Sequence, residues 1–90
     1  MIPYPRLPRA MTIRETWSRS GRRIPLEDSV GSALKEALTP YPPGIPFALP
    51  GECMTQNMVE WLREWEQTVS GSIEGVYRAE GRRWVWAIDR

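Results

Sequence analysis

Few side chains in this sequence are equipped for chemistry, and their types narrow it at once. There is one cysteine, Cys53, one lysine, Lys35, and no histidine. The commonest general base and the commonest zinc ligand are therefore both absent. Cys53 precedes a helix start at Thr55, where a thiolate would be favoured. Without a base to activate it, it reads first as an ordinary buried or half-buried thiol. Lys35 lies in "ALKEAL", a setting for a solvated lysine rather than a Schiff base. Carboxylates remain. Glu60 and Glu64 sit one helical turn apart with Arg63 beside them, which reads as a charged, solvated face, although the same pair with Glu52 suits a cationic amine. Glu52 stands between a rigid turn and a helix N-terminus, where it complements the helix dipole and caps free N–H groups.

The residues with the most unusual spacing are apolar. "TPYPPGIPFALPGE", Thr39–Glu52, holds five prolines and two glycines in fourteen positions, yet also carries Tyr41, Ile45, Phe47 and Leu49. Pro42-Pro43-Gly44 must turn the chain, and Ile45-Pro46 must leave it extended. Such a run pairs as a strand only at an edge. It is a stiff, apolar crossing that loses little entropy on docking, so it either closes the core or presents a shaped surface. Tyr41 fits a core aromatic or the wall of a channel.

The elements that must hold this crossing can be read on either side. Met1–Ala10, with Pro3, Pro5 and Pro8, is an extended arm available to drape over a neighbour. Thr12 and Glu15 have the spacing of a capping box for a short helix over Ile13–Ser18. "IPLEDSVGSALKEALTP" predicts a main helix, with Leu26, Val30, Ala33, Leu34, Ala37 and Leu38 as its apolar stripe. Gly31 within it suggests close packing, and Pro40 stops it. A second main helix follows an N-cap at Thr55 and ends just before Gly71, with Met58, Val59, Leu62, Trp65 and Val69 inward, Glu66 at the margin and Trp61 widening the stripe. In the tail, Trp84, Trp86 and Ile88 share one strand face, Val85 and Ala87 the other, and a hairpin turns near Glu80–Gly81. The fold class is α+β: two main helices, one short helix and a short antiparallel sheet or C-terminal hairpin, over residues 11–90.

Bulk properties exclude several classes. Twelve Lys/Arg against eleven Asp/Glu give a net charge of +1, which is no footprint for nucleic acid. No apolar run approaches the roughly 20 residues of a membrane span. Prolines interrupt the N-terminus where a secretory signal needs a continuous apolar core, and a lone cysteine suits a reducing compartment, so a cytoplasmic protein is expected.

From Met11 to Gly75 the sequence resembles the C-terminal domain of bacterial fold-type I ornithine/lysine/arginine decarboxylases, enzymes that depend on pyridoxal phosphate (PLP). The resemblance rests on "MTIRE" with Trp17, "RRIPLEDSVG", the thirteen residues Pro40–Glu52, Thr55, and "VEWL" before a glycine-bearing turn. In that family the domain follows a large cofactor-binding domain. This sequence departs from the family in lacking a Ser-x-His-Lys segment, an aspartate strand for the pyridine nitrogen and a phosphate-cradling loop, and in placing Cys53 where a basic or polar residue is expected. The resemblance therefore implies a chain that binds no cofactor by itself and is not catalytic alone. It would act as a small subunit docked on a separate large PLP-binding subunit, completing that subunit's fold and active-site entrance. Tyr41, Pro42, Pro43, Gly44, Ile45, Pro46 and Glu52 are the candidate residues of that docking surface or substrate channel. The alternatives are a free-standing module binding a basic amino acid or polyamine through Glu52, Glu60 and Glu64, an enzyme using Cys53, and a truncated decarboxylase gene.

Overall fold

The computed structural model describes residues 5–69 and 71–89. In chain order they form α1 (Ile13–Trp17), β1 (Gly21–Pro25), a 3-10 turn (Leu26–Asp28), β2 (Thr39–Tyr41), α2 (Gln56–Thr68), β3 (Ser72–Glu74), β4 (Val76–Ala79) and β5 (Arg82–Ile88). The class is α+β. Three strands make one antiparallel sheet in the order β1-β5-β4, and β2 pairs with β3 in a second.

Both helices start where their caps predict. Thr12 accepts from Glu15 N at 3.1 Å while the Glu15 carboxylate accepts from Thr12 N, closing the box at α1. Thr55 Oγ1 accepts from Met58 N at 3.2 Å and opens α2. The inward stripe of α2 is the expected one: Met58, Val59, Leu62 and Trp65 are buried. They join Leu26, Leu34, Leu38, Phe47 and Val85 in one apolar cluster, with Ile24 and Val76 packed against it. The α2 helix thus covers the inner face of the three-stranded sheet. The β4–β5 hairpin turns at Glu80 (φ 57°) and Gly81 (φ 72°), the left-handed pair that a two-residue hairpin requires.

The expected helix over residues 26–38 does not form. Only Leu26–Asp28 complete a turn, where the buried Ser29 donates its hydroxyl to Leu26 O at 2.6 Å. Gly31 then adopts φ 87°, which no right-handed helix contains, and its N–H donates to Met54 O at 2.9 Å. Beyond it the chain is extended and finds backbone partners on both sides. Leu34 bridges to Ala87, Ala33 to Cys53 and Leu38 to Ala48. The apolar residues are buried as expected, but by threading between two strands. Ser29, Gly31 and Ser32 lower helix propensity enough for these non-local partners to win.

The arm is tied to the body as well. Cys53 N donates to Pro8 O at 2.7 Å, Ala10 N donates to Gly51 O at 2.8 Å, and Leu7 packs against the core.

Candidate functional site

The proline-rich crossing folds as a loop with a locked base and an exposed tip, whose first residue, Tyr41, pairs with Ser72 of β3. Leu38 N donates to Ala48 O, and Phe47 N donates to Leu38 O, both at 3.0 Å, which closes the neck. Phe47 and Ala48 are buried there, and the Phe47 ring meets Trp61 of α2 edge-on, centroids 4.7 Å apart. Beyond the neck, Tyr41, Pro42, Pro43, Ile45 and Pro46 are exposed together, Ile45 at 66%. The Tyr41–Pro42 and Pro42–Pro43 peptides are cis. Gly44, at φ 86°, donates to Pro40 O at 2.6 Å and lies under the Tyr41 ring, which a Cβ there would approach to 3.0 Å. Six of the seven residues singled out from the sequence therefore share one tip.

Glu52 is set apart from that tip. Its Oε1 accepts from Leu49 N at 2.6 Å, its Oε2 lies 4.0 Å from Arg9, and its backbone carbonyl accepts from Leu34 N. It clamps the Pro50–Gly51 turn, capping the turn before it rather than the start of α2. Cys53 is half-buried with its Sγ 3.8 Å from Met54 O. Glu60 meets Gln56 on the outer side of α2, and Glu64 is exposed further along it, so neither converges with Glu52. Among the described residues, no three metal-ligating side chains come together, and no helix is long and apolar enough to cross a membrane.

Lys35 differs from its expected solvated setting. The chain delivers it to the end of α1, where its ammonium donates to Thr16 O at 2.9 Å and to Arg19 O. This is the favoured place for a cation, at carbonyls left free by a helix C-terminus. The only lysine of the chain is thereby engaged by backbone carbonyls, and it lies in a shallow groove beside Glu36 and Trp86.

Sequence reasoning missed the residues that continue the surface beyond the loop. Tyr41 Oη donates to Glu74 Oε2 at 3.2 Å, and Tyr77 Oη donates to Glu36 Oε2 at 2.8 Å. Each carboxylate holds the phenolic proton in place, so both tyrosines titrate above their ordinary value. Trp86 adjoins the Tyr77 hydroxyl and borders a shallow groove with Thr16, Trp17, Lys35 and Glu36. The strand pairing puts Tyr77 opposite Trp84 and Arg23 opposite Trp86, all on the outer face. Nearby, Arg82 pairs with Glu27, depressing that carboxyl, and lies 5.4 Å above the Trp84 ring. The alternation of β5 gave the signal for this face; Glu36 had none, because it was placed on a helix that does not exist.

Comparison with known proteins agrees with this architecture. The family model described as "Orn/Lys/Arg decarboxylase, C-terminal domain" matches residues 2–89. An arginine decarboxylase of Halalkalibacterium halodurans is 40% identical over 55 residues, 61% of this chain and 11% of that protein. The constitutive lysine decarboxylase of Escherichia coli superposes with a TM-score of 0.78 at 27% identity, covering 92% of this chain and 14% of that one. A lysine decarboxylase of Francisella novicida superposes at 0.76 and 23% identity, over 90% and 13%. The chain spans about one eighth of the length of these relatives.

Proposed function

The chain belongs to the Orn/Lys/Arg decarboxylase C-terminal domain family, and we propose that it is a docking subunit for a larger, cytoplasmic, PLP-dependent decarboxylase polypeptide. In this reading the exposed proline loop, Tyr41–Pro46, seats against the large subunit and shapes its active-site entrance. The chain contributes no catalytic group. PLP belongs to the partner, and no step of decarboxylation is assigned to residues here.

One observation carries the proposal: a stiff apolar tip stands out from a base locked into the core. Ile45 is 66% exposed while Phe47, two residues on, is 6% exposed. A loop whose only task was to close the core would turn its apolar side chains inward. The loop is held in shape before it meets anything, so docking costs little ordering entropy. Glu52 supports this from behind by fixing the turn that ends the segment.

Co-expression with a PLP-binding decarboxylase chain from the same organism tests the reading. A stable complex should copurify, with decarboxylase activity above that of the large chain alone, and Ile45→Ser with Tyr41→Ala should weaken it at least tenfold. Two chains that purify apart, with activity unchanged by mixing, would refute it.

A further inference from the structure

The proline loop is one end of a longer strip. Tyr41 reaches Glu74 at the end of β3, and Tyr77 follows three residues on in β4. Tyr77 reaches Glu36 and adjoins Trp86, and Trp86 shares a groove with Trp17. Exposed or half-exposed aromatic residues thus follow one another from the loop, by way of Glu74, across the outer sheet face to α1. Trp17 is 76% exposed, which is unusual for the largest apolar side chain.

The polar groups along this strip divide by sign. Its cations are largely engaged: Lys35 by the carbonyls of Thr16 and Arg19, Arg82 by Glu27. Arg23 stays exposed at the β1 edge. The two carboxylates are engaged on one oxygen only, each accepting a tyrosine hydroxyl through Oε2. Among the described residues neither Glu36 nor Glu74 has an ion-pair partner. Carboxylates fixed in place by tyrosines, with Glu36 also beside the Trp17 and Trp86 rings, offer a fork for guanidinium or ammonium groups and an apolar floor for their stems.

Building on the docking reading, we infer that the surface used extends from the proline loop along Tyr77 and Trp86 to Trp17, and that it fits an apolar patch of the large subunit flanked by arginine or lysine side chains facing Glu36 and Glu74. Continuity with the loop and the charge left unmatched on the strip select this partner. Large aromatic rings bordered by satisfied polar groups are also the composition of an interface centre rather than of ordinary surface.

The test uses the copurified complex described above. Trp17→Ser should raise Kd at least tenfold. Glu36→Gln with Glu74→Gln should raise it several-fold at 50 mM salt and flatten its salt dependence, because the removed charges are the ones that salt screens. Both variants should melt within a few degrees of the parent chain. If the complex forms and only Ile45 and Tyr41 variants weaken it, this inference fails and the docking reading stands. If no complex forms, the docking reading itself fails. Two further outcomes would also overturn the inference: a homodimer of this chain that Trp17→Ser dissolves, or putrescine binding to the isolated chain that Glu36→Gln abolishes.

Discussion

The two faces of the β1-β5-β4 sheet solve opposite problems with neighbouring residues of one strand. On the inner face Val85 and Ala87 are almost fully buried, Val85 in the cluster that α2 completes, and a polar tether joins α2 to the hairpin. Glu66, its side chain only 9% exposed, accepts from both Arg78 and Arg83 of the hairpin. On the outer face Trp84 and Trp86 stay half-exposed beside Tyr77. Aliphatic side chains gain only from removal of water, whereas an aromatic ring with a polar handle is stable half-wet. Trp84 accordingly donates its indole N–H to Ala79 O at 3.0 Å. The inner face holds the domain together. The outer face is finished well enough to be left uncovered.

The largest effect should come from the inner face. Leu62→Ala removes a fully buried side chain from the cluster containing Val85 and should cost about 2–5 kcal/mol, out of a total margin on the order of 5–13 kcal/mol for a domain of this size. Urea unfolding would show it as a lower midpoint with an unchanged slope. Trp17→Ser in the same assay should stay within about 0.5 kcal/mol. Equal losses for the two would erase the distinction between the faces. Next in size is the tether. Glu66→Gln keeps the shape but removes the charge facing two arginines. A charge-assisted bond contributes about 1.5–3 kcal/mol when shielded; with Arg78 and Arg83 partly in water, about 1–2 kcal/mol is expected. High salt should shrink that difference. A loss that ignores salt would mean that Glu66 acts through packing instead.

How the chain delivers groups to both faces shows what the sequence could and could not reveal. The caps at Thr12 and Thr55, the α2 stripe and the Glu80–Gly81 turn are local signals, each complete within a few residues, and each was legible. Residues 26–38 carry an apolar period as good as that of α2, but their partners are distant in sequence: Ala87, Cys53 and Ala48. Alternation there sends Leu34 to the core and Lys35 to the groove beside Trp86, so both faces depend on this strand-like path. Of the candidate site, the proline tip was legible from composition, while Glu36, Glu74 and Tyr77 became neighbours only through pairings that no short window contains. Gly31→Ala separates the two readings by sign. In a helix, Ala would stabilise by up to about 1 kcal/mol. At φ 87° it should destabilise by about 1–2 kcal/mol, and the urea midpoint decides.

The smallest effect tests whether the outer face is satisfied within itself. Glu36 beside Tyr77 and Glu74 beside Tyr41 raise the folded phenols above the ordinary value of about 10. The unfolded chain loses these protons first. The stabilisation from the two pairs is therefore complete below pH 10 and disappears as pH rises through the folded values. Both tyrosines are exposed at the surface, so the energy is small and the titration itself is the better reading. Ultraviolet titration of Tyr41→Phe and Tyr77→Phe variants leaves one of the two pairs in view at a time. Each remaining pair should ionise later than in urea. Glu36→Gln should lower Tyr77 and leave Tyr41 unmoved; Glu74→Gln should lower Tyr41 strongly and Tyr77 slightly, because Glu74 acts on both. That asymmetry follows from Glu74 standing between the loop and the sheet. If the two carboxylates proved independent, the strip would break at Glu74, and the loop and the sheet face would be two separate surfaces.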